Sequence, residues 1–350
     1  FDFKAAPLMR LTFIKLSENR YKMFWTSHHI IYDGWSLSIL MGEFLSTYET
    51  LASGNVPDKG EEDLYEDYIR YIEQQDKEQQ ENYWRNYMKG VSQGTLLPFI
   101  ASNVQRNRGA GDYETLELRL DPKTSGSIES FAQKNRLTIN TVFQGVWSFL
   151  LHEYTGSNEI VFGVVVSGRP DDLPNVEQRV GLYINTQPLH SSMPENGRSD
   201  EWLQEIQKHQ VSSRQYQYTP LQDIQLWTGV SGDLFDTILV FENYPVSEVI
   251  GAQKWKLQVE NILIQDQTNY PLTVIVSGSK EFSISFNYNS LILKKEVVNE
   301  IRSHFENVLN QFIQNEDKSL NKTELLADNE KNRLLTENKK SEVQYPKDKN

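Results

Sequence analysis

At 350 residues, with 38% hydrophobic and 11% aromatic content, the chain exceeds one typical domain and can form two ordered cores. A formal net charge of −13 argues against nucleic acid, whose phosphates need a basic face, and suits small-molecule work or docking to other proteins. Cysteine is absent, which excludes disulfides and thiolate metal sites and favours a cytoplasmic chain, and no run of 18 apolar residues offers a membrane span.

Residues 1–10 contain Pro7 and read as an extended entry. The first residue is Phe and there is no signal peptide, so the chain reads as part of something longer. Residues 11–16 and 21–27 alternate around Glu18-Asn19, the pattern of an antiparallel hairpin. Carried along the second strand, alternation puts Tyr21, Met23, Trp25, Ser27 and His29 on one face, and His28 on the other with Phe24 and Thr26. Residues 35–51 have apolar residues at helical spacing and end near Gly54. Asp33 before them is a natural N-cap, leaving free helix N–H groups at the Asp33-Gly34 turn. The tyrosine-rich residues 61–89 read as one or two surface helices closed by Gly90, with a solvated, one-striped helix pair favoured over a docking face. Residues 96–112 hold Pro98, Gly109 and Gly111 with little periodicity and mark a connection between lobes.

A second, more regular unit follows. Residues 113–120 alternate as a strand, Asp121-Pro122 opens a helix to about Asn135, and residues 140–154 form an apolar helix ending at Gly156. Residues 159–166 read as a buried strand stopped by Ser167-Gly168-Arg169-Pro170, residues 180–189 as another extended stretch, and 200–217 as a helix. Residues 235–241, 254–264, 270–276 and 282–288 read as successive strands, and 294–313 as a closing amphipathic helix. Residues 316–350 are polar and charge-dense and read as a linker. Strands and helices in two batches imply a two-lobed α/β architecture with mixed sheets, and a site at the interface of the lobes.

Two of the six histidines, His28 and His29, stand beside Asp33. Metal chelation by both would require the strand to break there, and no other His is close in sequence. A structural reading makes one His a satisfied interior histidine and Asp33 a helix cap. A catalytic reading lets the other His face a cleft and handle protons. Residue chemistry alone leaves these last two open.

The run His28-His29-Ile30-Ile31-Tyr32-Asp33-Gly34 matches an HHxxxDG motif, and four more segments accompany it in order. They are Ser167-Gly168-Arg169-Pro170, Val180-Gly181-Leu182-Tyr183-Ile184-Asn185-Thr186 with Pro188, Phe235-Asp236 through Phe241-Glu242-Asn243-Tyr244-Pro245, and Asn269-Tyr270-Pro271-Leu272. With these the chain resembles a condensation domain of a nonribosomal peptide synthetase, in the chloramphenicol acetyltransferase-like superfamily. The resemblance covers nearly all of residues 1–315 and lacks the family's earliest motifs. It implies a two-lobed fold with the active site between lobes: residues 1–100 are the remainder of the N-terminal lobe, 101–315 the C-terminal lobe, and 316–350 a linker. Leu334-Leu335 with Tyr345-Pro346 resembles the entry to an adenylation domain.

The implied reaction is amide formation between two thioesters held on the phosphopantetheine arms of upstream and downstream peptidyl carrier domains, with no cofactor or metal bound by this domain. The resemblance implies His29 at the reacting centre, as base or positioner, with the Gly34 N–H facing the oxyanion. It makes His28 a core-facing partner and Asp33 a structural anion paired with Arg169. Trp35, Ser36, Asn185 and Thr186 are expected along the substrate channel, and Glu242, Asn243 and Tyr244 have a weaker claim to the acceptor side. The segments around 241–245 and 269–272 point further to two L-configured partners. The competing functions are a related acyltransferase or epimerisation domain, and a non-catalytic carrier-recruiting module of the same fold.

Overall fold

The structure is a computed structural model and describes all residues except 61–64, 102, 107–108, 243–249, 252–254, 265–266, 279–280, 315–318 and 341–350. The expected hairpin is present: β1 (Met9–Ser17) pairs antiparallel with β2 (Arg20–Ser27), Met9 opposite Ser27 and Lys15 opposite Tyr21. The ladder stops sooner than alternation suggests. His28 N–H still bonds Leu8 O at 2.9 Å, but Ile31 N–H then closes a turn onto His28 O at 3.2 Å. Strand alternation therefore ends at Ser27 and does not carry through the two histidines.

That turn feeds α1 (Gly34–Ala52), whose N-cap is Asp33, as expected from its carboxylate. Next come α2 (Glu66–Glu73) and α3 (Lys77–Tyr87), the latter capped by Asp76, which accepts from the N–H groups of Glu78 and Gln79. α4 (Pro122–Lys134) begins on Asp121 with Pro122 in its first turn, where the missing N–H costs nothing. α5 (Ile139–Thr155) is capped by Thr138 and ends at Gly156 in the left-handed region, φ 67°. α6 (Ser199–Ser213), α7 (Leu221–Thr228) and α8 (Lys295–Gln314) follow, α7 not having been expected. No described helix is long and apolar enough to cross a membrane.

Six strands form one mixed sheet: β3 (Tyr113–Arg119), β4 (Glu159–Val166), β5 (Asn185–Ser192), β6 (Thr237–Glu242), β7 (Leu272–Ser277) and β8 (Ser283–Asn289). Their order is β3-β8-β7-β6-β4-β5, with β6 parallel to β4 and β7 and the other pairs antiparallel. Alternation sorts the two faces. Ile160, Phe162, Leu239, Val274 and Phe286 join the main core with Phe143, Trp147 and Leu150 of α5 and Phe305 and Leu309 of α8. Val161 and Ile238 point the other way, to a second core with Met88, Val91 and Phe235.

Three sequence expectations change. Leu97 and Ile100, assigned to the first lobe, lie in the main core of the second, so packing divides the lobes earlier than residue 100. The described part of 254–264 carries no strand, and β7 pairs directly with β6 and β8. Residues 316–350 are not wholly a linker. A 3₁₀ turn (Leu320–Lys322) and α9 (Asp328–Lys340) fold back on the lobe. Leu320 is buried in the main core, the Asn307 amide donates to Glu324 O and Leu325 O, and Glu330 reaches His304 at 3.2 Å. Tyr345 and Pro346 lie outside the described residues.

Candidate active site at the seam of the lobes

Asp33 is the fixed point of the site. Its side chain is 0% exposed and that of Arg169, with which it pairs at 3.2 Å, is 5%. Such burial requires every lone pair to be satisfied. Oδ1 accepts from Ser36 N–H at 2.8 Å and Arg169 Nη2, and the Ser36 hydroxyl lies 2.8 Å away. Oδ2 accepts from the N–H groups of Tyr183 at 3.0 Å and Ile184 at 3.3 Å. Asp33 N–H in turn donates to Gly181 O at 3.1 Å. The carboxylate thus joins the start of α1 to a segment some 150 residues further on.

The expected strand over 180–189 begins only at Asn185. Residues 180–184 stay out of the ladder because the N–H groups of Tyr183 and Ile184 and the carbonyl of Gly181 are bonded to Asp33. Arg169 closes the other side. Its Nη1 donates to Val176 O and Arg179 O, and its guanidinium lies 4.1 Å from the Tyr183 ring centroid, a cation–π contact. Gly168 sits at φ 61°, and a β-carbon there would collide with the Tyr183 carbonyl, so Ser-Gly-Arg-Pro needs its glycine for this close pass.

His29 is exposed on the turn, and His28 is half-buried. His28 is not in a core, as had been expected. It packs edge-on against Phe1 and Phe3, at 5.8 and 4.7 Å between ring centroids, and its Nδ1 accepts from Ile30 N–H at 3.1 Å. An accepting Nδ1 leaves the ring hydrogen on Nε2 and fixes the ring in the turn. Among the described residues no group of three or more His, Asp or Glu is placed to hold a metal ion. Gly34 opens α1, whose first N–H groups have no intrahelical acceptor and carry the positive end of the helix dipole.

The residues expected along the channel separate. Ser36 is 0% exposed and belongs to the Asp33 network, accepting from Arg169 Nη2 at 3.0 Å and Gly181 N–H at 3.1 Å, so it lines no open channel. Trp35 is half-buried and its Nε1–H donates to Glu177 O at 2.8 Å, across the seam. Asn185 holds the carbonyls of Gln217 and Thr219 with its amide, and Thr186 pairs with Val165 in the β4–β5 ladder. Glu242 ends β6, while Asn243 and Tyr244 lie outside the described residues.

Sequence reasoning missed two contributors. Tyr65 donates its hydroxyl to Leu182 O, and its ring stands edge-on to Tyr183 at 5.3 Å. Burial pushes the Tyr65 phenol up, the Asp33 charge adds to this, and Arg169 opposes it. The tyrosines of 65–87 turn inward, Tyr68 and Trp84 being buried, and the aromatic spacing was the available signal.

The second contributor is His190, which locks α3 to the sheet. Its Nδ1 meets Tyr87 O at 2.9 Å, its Nε2 meets Glu159 Oε2 at 2.5 Å, and the Ser192 hydroxyl donates to the same oxygen at 2.7 Å. Burial raises the Glu159 carboxyl, but the Ser192 and His190 hydrogen bonds and the His190 charge outweigh it, so it titrates below its ordinary 4.5. A depressed carboxyl stabilises the fold above its unfolded value and loses this as pH falls through the folded value. The melting-temperature gap between wild type and Glu159→Gln is therefore expected to be full above the ordinary carboxyl range and to close as pH falls below it. A gap constant down to acid pH would contradict the lock.

Comparison with known proteins identifies the family. The chain is 34% identical over 348 residues to one of the subunits of the linear gramicidin synthase of Brevibacillus parabrevis, covering 99% of the chain but 7% of that relative. It is 32% identical over 354 residues to bacitracin synthase 3 of Bacillus licheniformis, covering 100% of the chain and 6% of that relative. It spans only 4–7% of the length of the first curated relatives it matches. Among solved structures, the X-domain from teicoplanin biosynthesis superposes with a TM-score of 0.76 at 18% identity, over 93% of this chain and 76% of that one. A four-domain nonribosomal peptide synthetase bound to AMP and glycine gives 0.77 at 16% identity, over 94% of this chain and 26% of that one. At such identities the likeness is one of fold, the two-lobed α/β fold expected from the motifs. A family model described as Condensation domain matches residues 1–335, nearly the whole length, and the chain belongs to that family.

Proposed function

We propose that the chain forms peptide bonds in nonribosomal peptide synthesis, joining a donor aminoacyl or peptidyl thioester to the α-amine of an acceptor aminoacyl thioester. The observation that carries this reading is an exposed His29 on a turn whose far end, Asp33, is fully buried and held by Arg169. The acceptor nitrogen attacks the donor carbonyl, the tetrahedral oxyanion collapses, and the donor thiolate leaves. One proton passes from nitrogen to sulfur overall, and the lengthened peptide stays on the acceptor arm.

The demands on the protein are modest. An α-amine titrates near ~8, so part of it is already neutral and nucleophilic. The thioester is an activated acyl donor. What remains is to orient the amine, take its proton and support the oxyanion. His29 serves one of the first two, as base or as positioner, and the N–H groups that open α1 at Gly34 serve the third. The phosphopantetheine arms belong to upstream and downstream carrier domains and are substrate, and an adenylation domain is the expected neighbour. The chain's place in an antibiotic-type synthetase and its cytoplasmic location are part of the same reading. So is a pairing of two L-configured residues.

The test is single-turnover transfer between a loaded donor carrier and a loaded acceptor carrier, using the full-length protein and mass spectrometry of the carrier-bound product. A peptidyl acceptor and a free donor thiol are expected. Carrier binding without any peptide formed would replace this reading with the non-catalytic recruiting module.

A further inference from the structure

Residues 180–184 hold the Asp33 carboxylate, and these residues are themselves held from the side by the entry to α2. The Tyr65 hydroxyl donates to Leu182 O. The Tyr65 ring fills the space beside Gly181, where any β-carbon would collide with it. Tyr65 and Tyr68 pack their rings on Tyr183 at 5.3 and 4.6 Å. Between them, Asp67 pairs at 3.1 Å with Arg179, the residue whose carbonyl Arg169 holds. Contacts from residues 65–68 therefore flank residues 179–184, of which the Tyr183 and Ile184 N–H groups bond Asp33 Oδ2.

We propose that Tyr65 is a positioning residue for condensation. Through Leu182 O and the face of Gly181 it fixes the Tyr183 and Ile184 N–H groups on Asp33, and so sets the aim of the turn that presents His29. This rests on the function proposed above. The chemistry is specific to the hydroxyl: the Leu182 carbonyl is bonded to a side chain because residues 180–184 belong to no strand, and loss of that donor frees the segment to rotate. A phenyl ring in place of the phenol still packs on Tyr183 and still fills the space at Gly181, so Tyr65→Phe isolates the hydrogen bond from the packing.

Three measurements on the full-length protein test this. Tyr65→Phe is expected to melt near wild type, to lower kcat on the order of 10-fold with the carrier KM unchanged, and to speed amide exchange at Tyr183 and Ile184. A misplacement of about 1 Å can cost ~10²-fold, so a smaller effect suits one lost hydrogen bond. Acting through Asp33, it adds nothing further to Asp33→Asn: the double variant should be no slower than Asp33→Asn alone. Wild-type kcat, additive losses in the double variant, or unchanged exchange at those two amides would each overturn the proposal. Exchange needs no turnover, so it separates failure of this inference from failure of the functional reading. Faster exchange without any condensation in wild type would leave the coupling to Asp33 standing and remove the reaction.

Discussion

His29→Ala is expected to slow carrier-to-carrier condensation by ~10²–10⁴, the usual worth of a positioned acid–base group, while leaving stability nearly unchanged. The two halves of that expectation have separate grounds. His29 is exposed on the turn between β2 and α1, and exposed substitutions away from caps and buried networks typically move stability by no more than about 0.5 kcal/mol. A large loss of rate at constant fold would mark a group that meets the reacting atoms. His29→Gln then separates the two roles: its amide can hold the acceptor nitrogen but cannot take its proton. Recovery of most of the rate would assign positioning, and a rate as low as that of His29→Ala would assign proton transfer. His28→Ala gives the contrast, because His28 packs against Phe1 and Phe3 and accepts from Ile30 N–H within the turn. A wild-type rate for His29→Ala would remove the histidine from the mechanism.

The parts of the fold that were legible in the sequence share a local cause. β4 was readable to the residue because Ile160–Val166 follows Glu159 as a continuous apolar run; α1 and α4 were readable because Asp33 and Asp121 cap them, and α5 because residues 140–154 are apolar and stop at Gly156. What escaped depends on distant partners. Residues 180–184 look extended by alternation, yet their N–H groups go to Asp33, a carboxylate far away in the chain. The two histidines look like strand residues, yet a turn at His28 to Ile31 ends the ladder first. Ser36 looks like a channel polar after the motif, yet Arg169 and Gly181 close over it. α9 hides in a polar stretch because it meets the lobe through Glu330 on the buried His304, while Asn307 holds the carbonyls of Glu324 and Leu325 just before it. The Asp33–Arg169 pair itself came from motif resemblance, since nothing in local pattern links residues 136 positions apart.

The second large effect falls on that pair. Asp33→Ala is expected to destabilise the protein by ~3–5 kcal/mol, the range for breaking a buried ion pair on one side, with a further ~1 kcal/mol from the lost N-cap of α1. Against a total stability of about 5–15 kcal/mol, this is enough to leave much of the protein unfolded. The charge left behind decides the size. Arg169, 5% exposed, keeps its bonds to Val176 O and Arg179 O and its place over Tyr183, but has no anion, and its Nε already lacks a partner among the described residues. The N–H groups of Tyr183, Ile184 and Ser36 lose their acceptor at the same time. Asp33→Asn keeps the shape and one acceptor oxygen, so urea unfolding should show a smaller loss than for Asp33→Ala. Arg169→Met tests the sign from the other side. It leaves the carboxylate buried with its hydrogen bonds from Ser36, Tyr183 and Ile184 intact, so it should cost less than Asp33→Ala if the stranded cation is the larger penalty. Were Asp33→Ala to unfold at the same urea concentration as wild type and lose only activity, Asp33 would belong to the chemistry and not to the scaffold that holds it.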